Sequence, residues 1–219
     1  MWIILWVVLS VFVLGVFAWS QRILVQQKRA WAAFAKKNGF LYEPGKFMAA
    51  PAMAGKTGPY VVAFYTDAQQ TGDARGQRLV SVLEIELGRG IPGAGAIGTK
   101  EMAGFIGGLK FKESFEPDFP DWKKEWVLRA REAAAVNAYL TKERLDALRD
   151  LFSMKAASMF FFDELASLIR IETVDPLKDP ERLEKILKRL VPIADRLAPS
   201  ESEKARAGAP PDAQKTAEI

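Results

Sequence analysis

The sequence predicts an α+β protein: an N-terminal transmembrane helix continuing into a juxtamembrane helix, then a mainly antiparallel sheet packed with helices. Three observations carry this reading. Trp2–Trp19 (WIILWVVLSVFVLGVFAW) is an apolar run without a charged residue. Leu79–Leu87 alternates with period two, and Gly/Pro turn residues punctuate several short β-type runs. Two later segments repeat apolar residues at helical spacing behind good N-caps.

Trp2–Trp19 is long enough to cross a bilayer. Its residues at ~1.5 Å rise give roughly 27 Å of helix, close to the ~30 Å hydrocarbon core. A helix satisfies its own backbone groups there, and Trp2 and Trp19 stand where indoles favour the lipid–water boundary. A cleaved signal peptide fits less well. No Lys or Arg precedes the run, the core is long, and Ala18-Trp19-Ser20 is a poor cleavage site. After the span come Arg22, Lys28, Arg29, Lys36 and Lys37, with no acidic residue before Glu43. Basic residues flanking a span favour the cytoplasmic side. The N-terminal stub is therefore expected outside and residues 21–219 in the cytoplasm, at the bacterial inner membrane.

Gln21–Asn38 lacks Pro and Gly and extends the helix, with Leu24, Trp31, Phe34 and Ala35 at helical spacing. Gly39 is a natural terminator. Phe40–Tyr42 is a short strand. Ala52–Lys56 and Tyr60–Thr66 form a hairpin across Thr57-Gly58-Pro59, and Ala68–Gly76 is a turn. In Leu79–Leu87, Leu79, Leu83, Ile85 and Leu87 share one face and Val80, Val82, Glu84 and Glu86 the other, as in a half-buried antiparallel strand. Residues 88–108 hold eight glycines and are expected to form an extended linker or loop, with a short strand at Ala96–Thr99 and a helical turn after Lys100. Phe115–Trp122 is a proline-punctuated aromatic segment that covers the domain.

Glu125–Arg131 is a strand with Trp126, Leu128 and Ala130 on one side, and Glu132–Leu140 is helical. Thr141 caps a helix over Lys142–Phe152. Met159–Phe162 and Leu168–Thr173 pair as a hairpin around Asp163-Glu164. Asp179 caps the last helix, Pro180 takes its first position and Glu181 complements its dipole. Leu183, Ile186, Leu187, Leu190 and Val191 form its stripe, and Pro192 is expected to kink it. The domains are thus a transmembrane anchor at 1–20, a juxtamembrane helix at 21–39, an α+β domain at 40–197 and a disordered tail at 198–219.

Charge and composition exclude several functions. Residues 21–46 carry six basic residues and one acidic, while the rest carry 25 and 26. The excess is juxtamembrane, where each basic residue contributes ~1 kcal/mol of attraction to anionic lipid. A balanced globular part offers no basic stripe, so nucleic acid is not an expected partner. The chain has no Cys and no His. That removes disulfides, thiolate nucleophiles, the commonest general base and the commonest metal ligand.

Three groups of residues invite a catalytic reading. Ala50–Thr57 (APAMAGKT) nearly matches a phosphate-binding loop and would use Lys56 and Thr57. Such a loop needs a helix after it to aim amides at phosphate, whereas Gly58-Pro59 and the β-type YVVAFY follow here. Gly93–Gly98 fits GxGxxG, which is meaningful only as a βα turn in a parallel unit. Glu84 and Glu86 share a strand face, and Asp118 and Asp121 lie in the aromatic segment. Paired carboxylates perform acid–base work only where their environments separate their pKa values.

The phrases RAWAAFAKKNGFLYEPG, LVSVLEIEL followed by IPGAGAIG, FEPDFPDWKKEWVLRAR and AYLTKERLDAL follow an N-terminal span in that order. Over residues 20–197 this resembles the membrane-anchored bacterial proteins grouped as domains of unknown function. The resemblance implies an α+β domain and brings no catalytic residues. The expected role is non-catalytic: an interaction or accessory module for a membrane or membrane-proximal protein, needing no cofactor and no metal. The bilayer itself is a partner. The alternatives are a nucleotide-binding or hydrolytic enzyme, and an anionic-lipid sensor using Arg22, Lys28, Arg29, Lys36 and Lys37.

Overall fold

A computed structural model describes residues 1–70, 76–88, 91, 93–111, 113–117, 119, 122–163, 165–200 and 203. The α+β class is as expected. Helix α1 spans Trp2–Asn38 without a break and ends at Gly39, whose φ of 71° is left-handed. The Phe40 N–H then bonds the Ala35 carbonyl at 2.9 Å. Every residue from Trp2 to Trp19 is exposed. Farther along, Ala30, Trp31, Phe34 and Ala35 are buried in the domain, so one helix is apolar on all sides first and amphipathic afterwards.

Among the described residues nine strands follow: β1 (Leu41–Glu43), β2 (Ala52–Thr57), β3 (Tyr60–Gln70), β4 (Gln77–Gly88), β5 (Gly95–Thr99), β6 (Glu113–Ser114), β7 (Trp126–Ala130), β8 (Ala157–Phe162) and β9 (Ser167–Thr173). They form one antiparallel sheet in the order β1-β2-β3-β4-β9-β8-β5-β7-β6. The hairpin β8–β9, last in sequence, joins the β1–β4 meander to the β5–β7 half. Its turn is built by Asp163, whose Oδ1 accepts from the N–H groups of Leu165 and Ala166, both at 2.7 Å. The expected Glu164 lies outside the described residues.

The remaining helices are α2 (Ala103–Gly108), α3 (Ala133–Tyr139), α4 (Lys142–Phe152) and α5 (Pro180–Leu197). The C-terminal part of α1, with α3, α4 and α5, covers one sheet face. That core holds Trp31, Phe34, Phe64, Ile85, Ile97, Phe160, Phe162, Leu148 and Leu190. The short α2 and the helical turn Lys100–Met102 before it cover part of the other face through Ile106 and Met102, packed on Ala96 and Met159. Thr141 and Asp179 cap α4 and α5 as expected, accepting from the N–H groups of Arg144 and Glu181. Helix α5 continues through Pro192 to Leu197, which adds Ile193, Ala194 and Leu197 to its buried stripe.

Three expectations need correction. The described part of 88–108 is not a linker: its short strand, β5, is an inner strand buried along its whole length. Glycine spacing reads as loop chemistry in the sequence, yet here it permits close packing. A Cβ on Gly98 would lie 2.8 Å from Ile106 Cδ1 and 3.0 Å from the Ser158 carbonyl. Ala68–Gln70, expected in a turn, extends β3, because pairing with Leu79, Arg78 and Gln77 satisfies its backbone despite polar side chains. The chain past Leu197 does not leave the domain at once. Pro199 is buried, and the Glu203 carboxylate meets Arg144 Nη2 at 2.6 Å. Residues 201–202 and 204–219 lie outside the described residues.

Candidate functional site

The five basic residues after the span do not form one surface. Arg22, Arg29 and Lys36 are exposed along α1. Lys28 is half-buried, and its Nζ donates to the Lys46 carbonyl at 2.9 Å, tying α1 to the loop between β1 and β2. Lys37 pairs with Glu184 of α5 at 2.6 Å, and Lys188 holds the same carboxylate at 2.9 Å. Those two ammonium groups bring the Glu184 carboxyl down to about 2. Helical rise sets the heights above the span. Arg22 lies ~5 Å past Trp19, while Lys36 and Lys37 lie ~26 Å past it.

The phosphate-loop reading does not survive the fold. Ala52–Thr57 is strand β2, paired antiparallel with both β1 and β3, and Gly58 (φ 58°) turns directly into β3. No helix begins after Thr57, Met53 is in the core, and Lys56 is exposed. Of the GxGxxG glycines, Gly93 precedes β5 while Gly95 and Gly98 lie in it, and its neighbours β7 and β8 are both antiparallel to it. A Cβ on Gly95 would lie 3.0 Å from the Arg129 carbonyl, so both β5 glycines face closely packed atoms. Asp118 and Asp121 lie outside the described residues.

Glu84 and Glu86 separate. Glu86 is exposed, whereas Glu84 belongs to a half-buried ionic cluster on the sheet face opposite the main core. Register builds that cluster. Glu84 on β4 stands directly across from Arg170 on β9, and Tyr65 and Asp67 on β3 share the same face. Arg170 Nη1 donates to Glu84 Oε1 at 2.8 Å and to the Tyr65 hydroxyl at 2.6 Å. Its Nη2 reaches Asp67 Oδ2 at 2.9 Å, and its Nε reaches Glu172 Oε1 at 2.8 Å. The Phe105 ring from α2 lies 4.9 Å from the guanidinium carbon, close enough for a cation–π contact.

The electrostatics follow from this geometry. Burial opposes the Arg170 charge, but bonds to Glu172, Tyr65, Asp67 and Glu84 outweigh it, and the pKa rises above the ordinary arginine value. Burial pushes the Tyr65 phenol up, and its bond to Glu84 pushes it the same way. One guanidinium thus faces three carboxyl groups, all of them committed to it. The arrangement ties β3, β4 and β9 together. Among the described residues, no group of three or more His, Cys, Asp or Glu is arranged to hold a metal.

Sequence reasoning found Glu84 and missed Arg170, Glu172, Asp67 and Tyr65. A usable signal was present. Arg170 interrupts the apolar run Leu168–Ile171, and period-two spacing puts Arg170 with Glu172, and Tyr65 with Asp67, on common faces.

No family model and no curated protein matches the chain. Among solved structures, its fold is similar to the crystal structure of the mycobacterial trehalose monomycolate transport factor A, TtfA. The two share 14% identity at a TM-score of 0.48, over 78% of this chain and 94% of that one.

Proposed function

We propose that this chain is a single-pass, membrane-anchored interaction module. Its non-catalytic α+β domain serves a membrane or membrane-proximal protein at the cytoplasmic face of the inner membrane. One observation carries the reading: α1 runs unbroken from a wholly exposed apolar segment into the domain core. Among the described residues it is the helix long and apolar enough to span a membrane. An exposed apolar surface of that extent in a soluble protein would demand a cover, and lipid supplies one.

The same continuity favours an interaction role. A flexible tether would only confine the domain near the bilayer. A helix shared between span and core also fixes its orientation, so the same surface meets every partner in that layer. Confinement raises effective concentration, and a fixed orientation removes part of the entropy cost of docking. All five basic residues lie within the distance over which Lys and Arg bias topology. Arg22 lies within a Debye length of ~8 Å from the span. The lipid-sensing alternative therefore narrows to this end of α1.

Two measurements test the proposal. A C-terminal tag on the full chain should be cut by protease in inverted membrane vesicles and protected in right-side-out ones. Crosslinking in native membranes should then capture a discrete membrane or membrane-associated protein. A soluble, shortened form in the periplasm would refute the anchor, and substrate turnover by the purified chain would refute the non-catalytic role.

A further inference from the structure

The first turns of α1 after Trp19 do not pack tightly on the domain. They form one wall of an open groove of about 400 Å³, within the ~300–1,000 Å³ range of small-molecule sites. Ile23 and Leu24 line it from α1, Met48 from the β1–β2 connection, Leu79 from β4, and Val174 and Pro176 from the segment after β9.

The depth of this groove relative to the bilayer follows from element lengths. Phe64 of β3 packs on Trp31 at 6.1 Å and on Phe34 at 5.6 Å. From Phe64 to Gln70 the strand runs ~20 Å. From Phe34 back to Ser20 the helix runs ~21 Å. These lengths match, and Ser20, where the apolar span finishes, lines the same groove as Leu79 and Val80 of β4. The rim is apolar and open: Met48 is 57% exposed, Leu79 70% and Val174 65%, with Phe47 beside them at 85%.

The inner end is polar. Thr66 Oγ1 is buried and has no hydrogen-bond partner among the described residues. Gln27, only 5% exposed, lines the same groove. A buried hydroxyl left unpaired is costly, and a bare hydrocarbon chain would not relieve it. A carbonyl oxygen would, since it accepts from the Thr66 O–H and from the Gln27 side-chain amide. Gln27 lies ~12 Å past Trp19, so a lipid would rise only part of its length to reach it.

We propose that this groove takes one acyl chain of a bilayer lipid together with its ester carbonyl. The chain lies along Ile23, Leu24 and Leu79, and the carbonyl sits at Gln27 and Thr66. The proposal rests on the membrane-anchor reading and deepens it by naming the partner's chemistry. Continuity with the span selects the source: the groove opens where the apolar face of α1 leaves the bilayer.

The full chain is reconstituted in vesicles of phosphatidylethanolamine and phosphatidylglycerol that contain a phosphatidylglycerol with a diazirine in one acyl chain. After irradiation, adducts are mapped by peptide mass spectrometry. Adducts are expected on the Trp2–Trp19 peptide and on the peptides holding Leu24, Met48 and Leu79. Gln27→Leu should cut the groove adducts about fivefold, the weight of one ordinary hydrogen bond. It should leave the Trp2–Trp19 adducts and the thermal midpoint in place. Labelling confined to Trp2–Trp19 overturns the groove proposal and spares the anchor, whereas absence of labelling there overturns the anchor itself. Groove labelling undiminished by Gln27→Leu assigns the rim to simple immersion and defeats the carbonyl site. Displacement of the groove adducts by added palmitate makes a free fatty acid the occupant, which defeats the bilayer-lipid source.

Discussion

The indole Nε1–H of Trp31 donates to the carbonyl of Leu177 at 3.1 Å, linking the membrane helix to a segment 146 residues later. Leu177 is buried and sits at a φ of 51°, a conformation uncommon for a non-glycine residue. Asp175 holds it from the other side, its Oδ1 accepting from the Leu177 N–H at 2.8 Å. The bend that follows β9 is therefore set from α1, and with it the wall of the groove at Val174 and Pro176. Trp31→Phe keeps most of the ring volume and orphans this buried carbonyl. The expected loss is ~1–3 kcal/mol, read as a lower midpoint in chemical denaturation of the full chain in detergent. An unchanged midpoint would mean that the bond contributes nothing net.

Arg170 is the shared partner of Glu84, Asp67 and Glu172. Arg170→Met preserves length and apolar contact but leaves Glu172, 6% exposed, without its cation. Breaking one side of a buried ion pair costs ~3–5 kcal/mol. Adding Glu172→Gln should recover part of that loss, because the two changes act on one interaction. Denaturant midpoints of both singles and the double give the coupling directly, and strict additivity would contradict the shared cluster.

Acid should release the C-terminal segment. The Arg144 guanidinium beside Glu203 brings its carboxyl down to about 2, with burial opposing and the Ser200 N–H assisting. A carboxyl lowered in the folded state stabilises above its unfolded value, near ~4.3, and loses that contribution as pH falls toward 2. Between those limits the wild type should lose stability more steeply than Glu203→Gln, and the two should run parallel above pH ~6. Equal slopes in the acid window would show that the Arg144 contact is not made in solution.

Gly98 separates two readings of one motif. As part of a dinucleotide fingerprint, it would matter for binding. As packed here, Gly98→Ala meets Ile106 and the Ser158 backbone, an overpacking expected to cost ~1–3 kcal/mol. Thermal unfolding should show the loss, while NAD titration by calorimetry should give no heat for either protein. Saturable heat with wild type alone would restore the motif reading.

Lys56→Ala offers the complementary control. Lys56 is exposed on β2, so stability should stay within ~0.5 kcal/mol of wild type. Titration of labelled ATP should give equal, negligible binding to both proteins. A specific loss in the variant would reinstate the nucleotide hypothesis.

Local chemistry determined much of this protein by itself. An uncharged apolar run, the Gly39 terminator, the Thr141 and Asp179 caps, the Gly58-Pro59 turn and the alternation around Leu83 each act over a few residues. They can therefore be read without knowing what lies opposite. Tertiary structure decided what depends on register and layering. It made β5 an inner strand, because the space beside a glycine is fixed by the strand and helix packed on it. It gathered Tyr65, Asp67, Glu84, Arg170 and Glu172, because β9, some eighty residues later in the chain, pairs with β4 and aligns one face with the β3–β4 pair. It also turned Lys28 and Lys37 from a free basic neck into internal ties, since a long cation takes whatever acceptor the fold places within its reach.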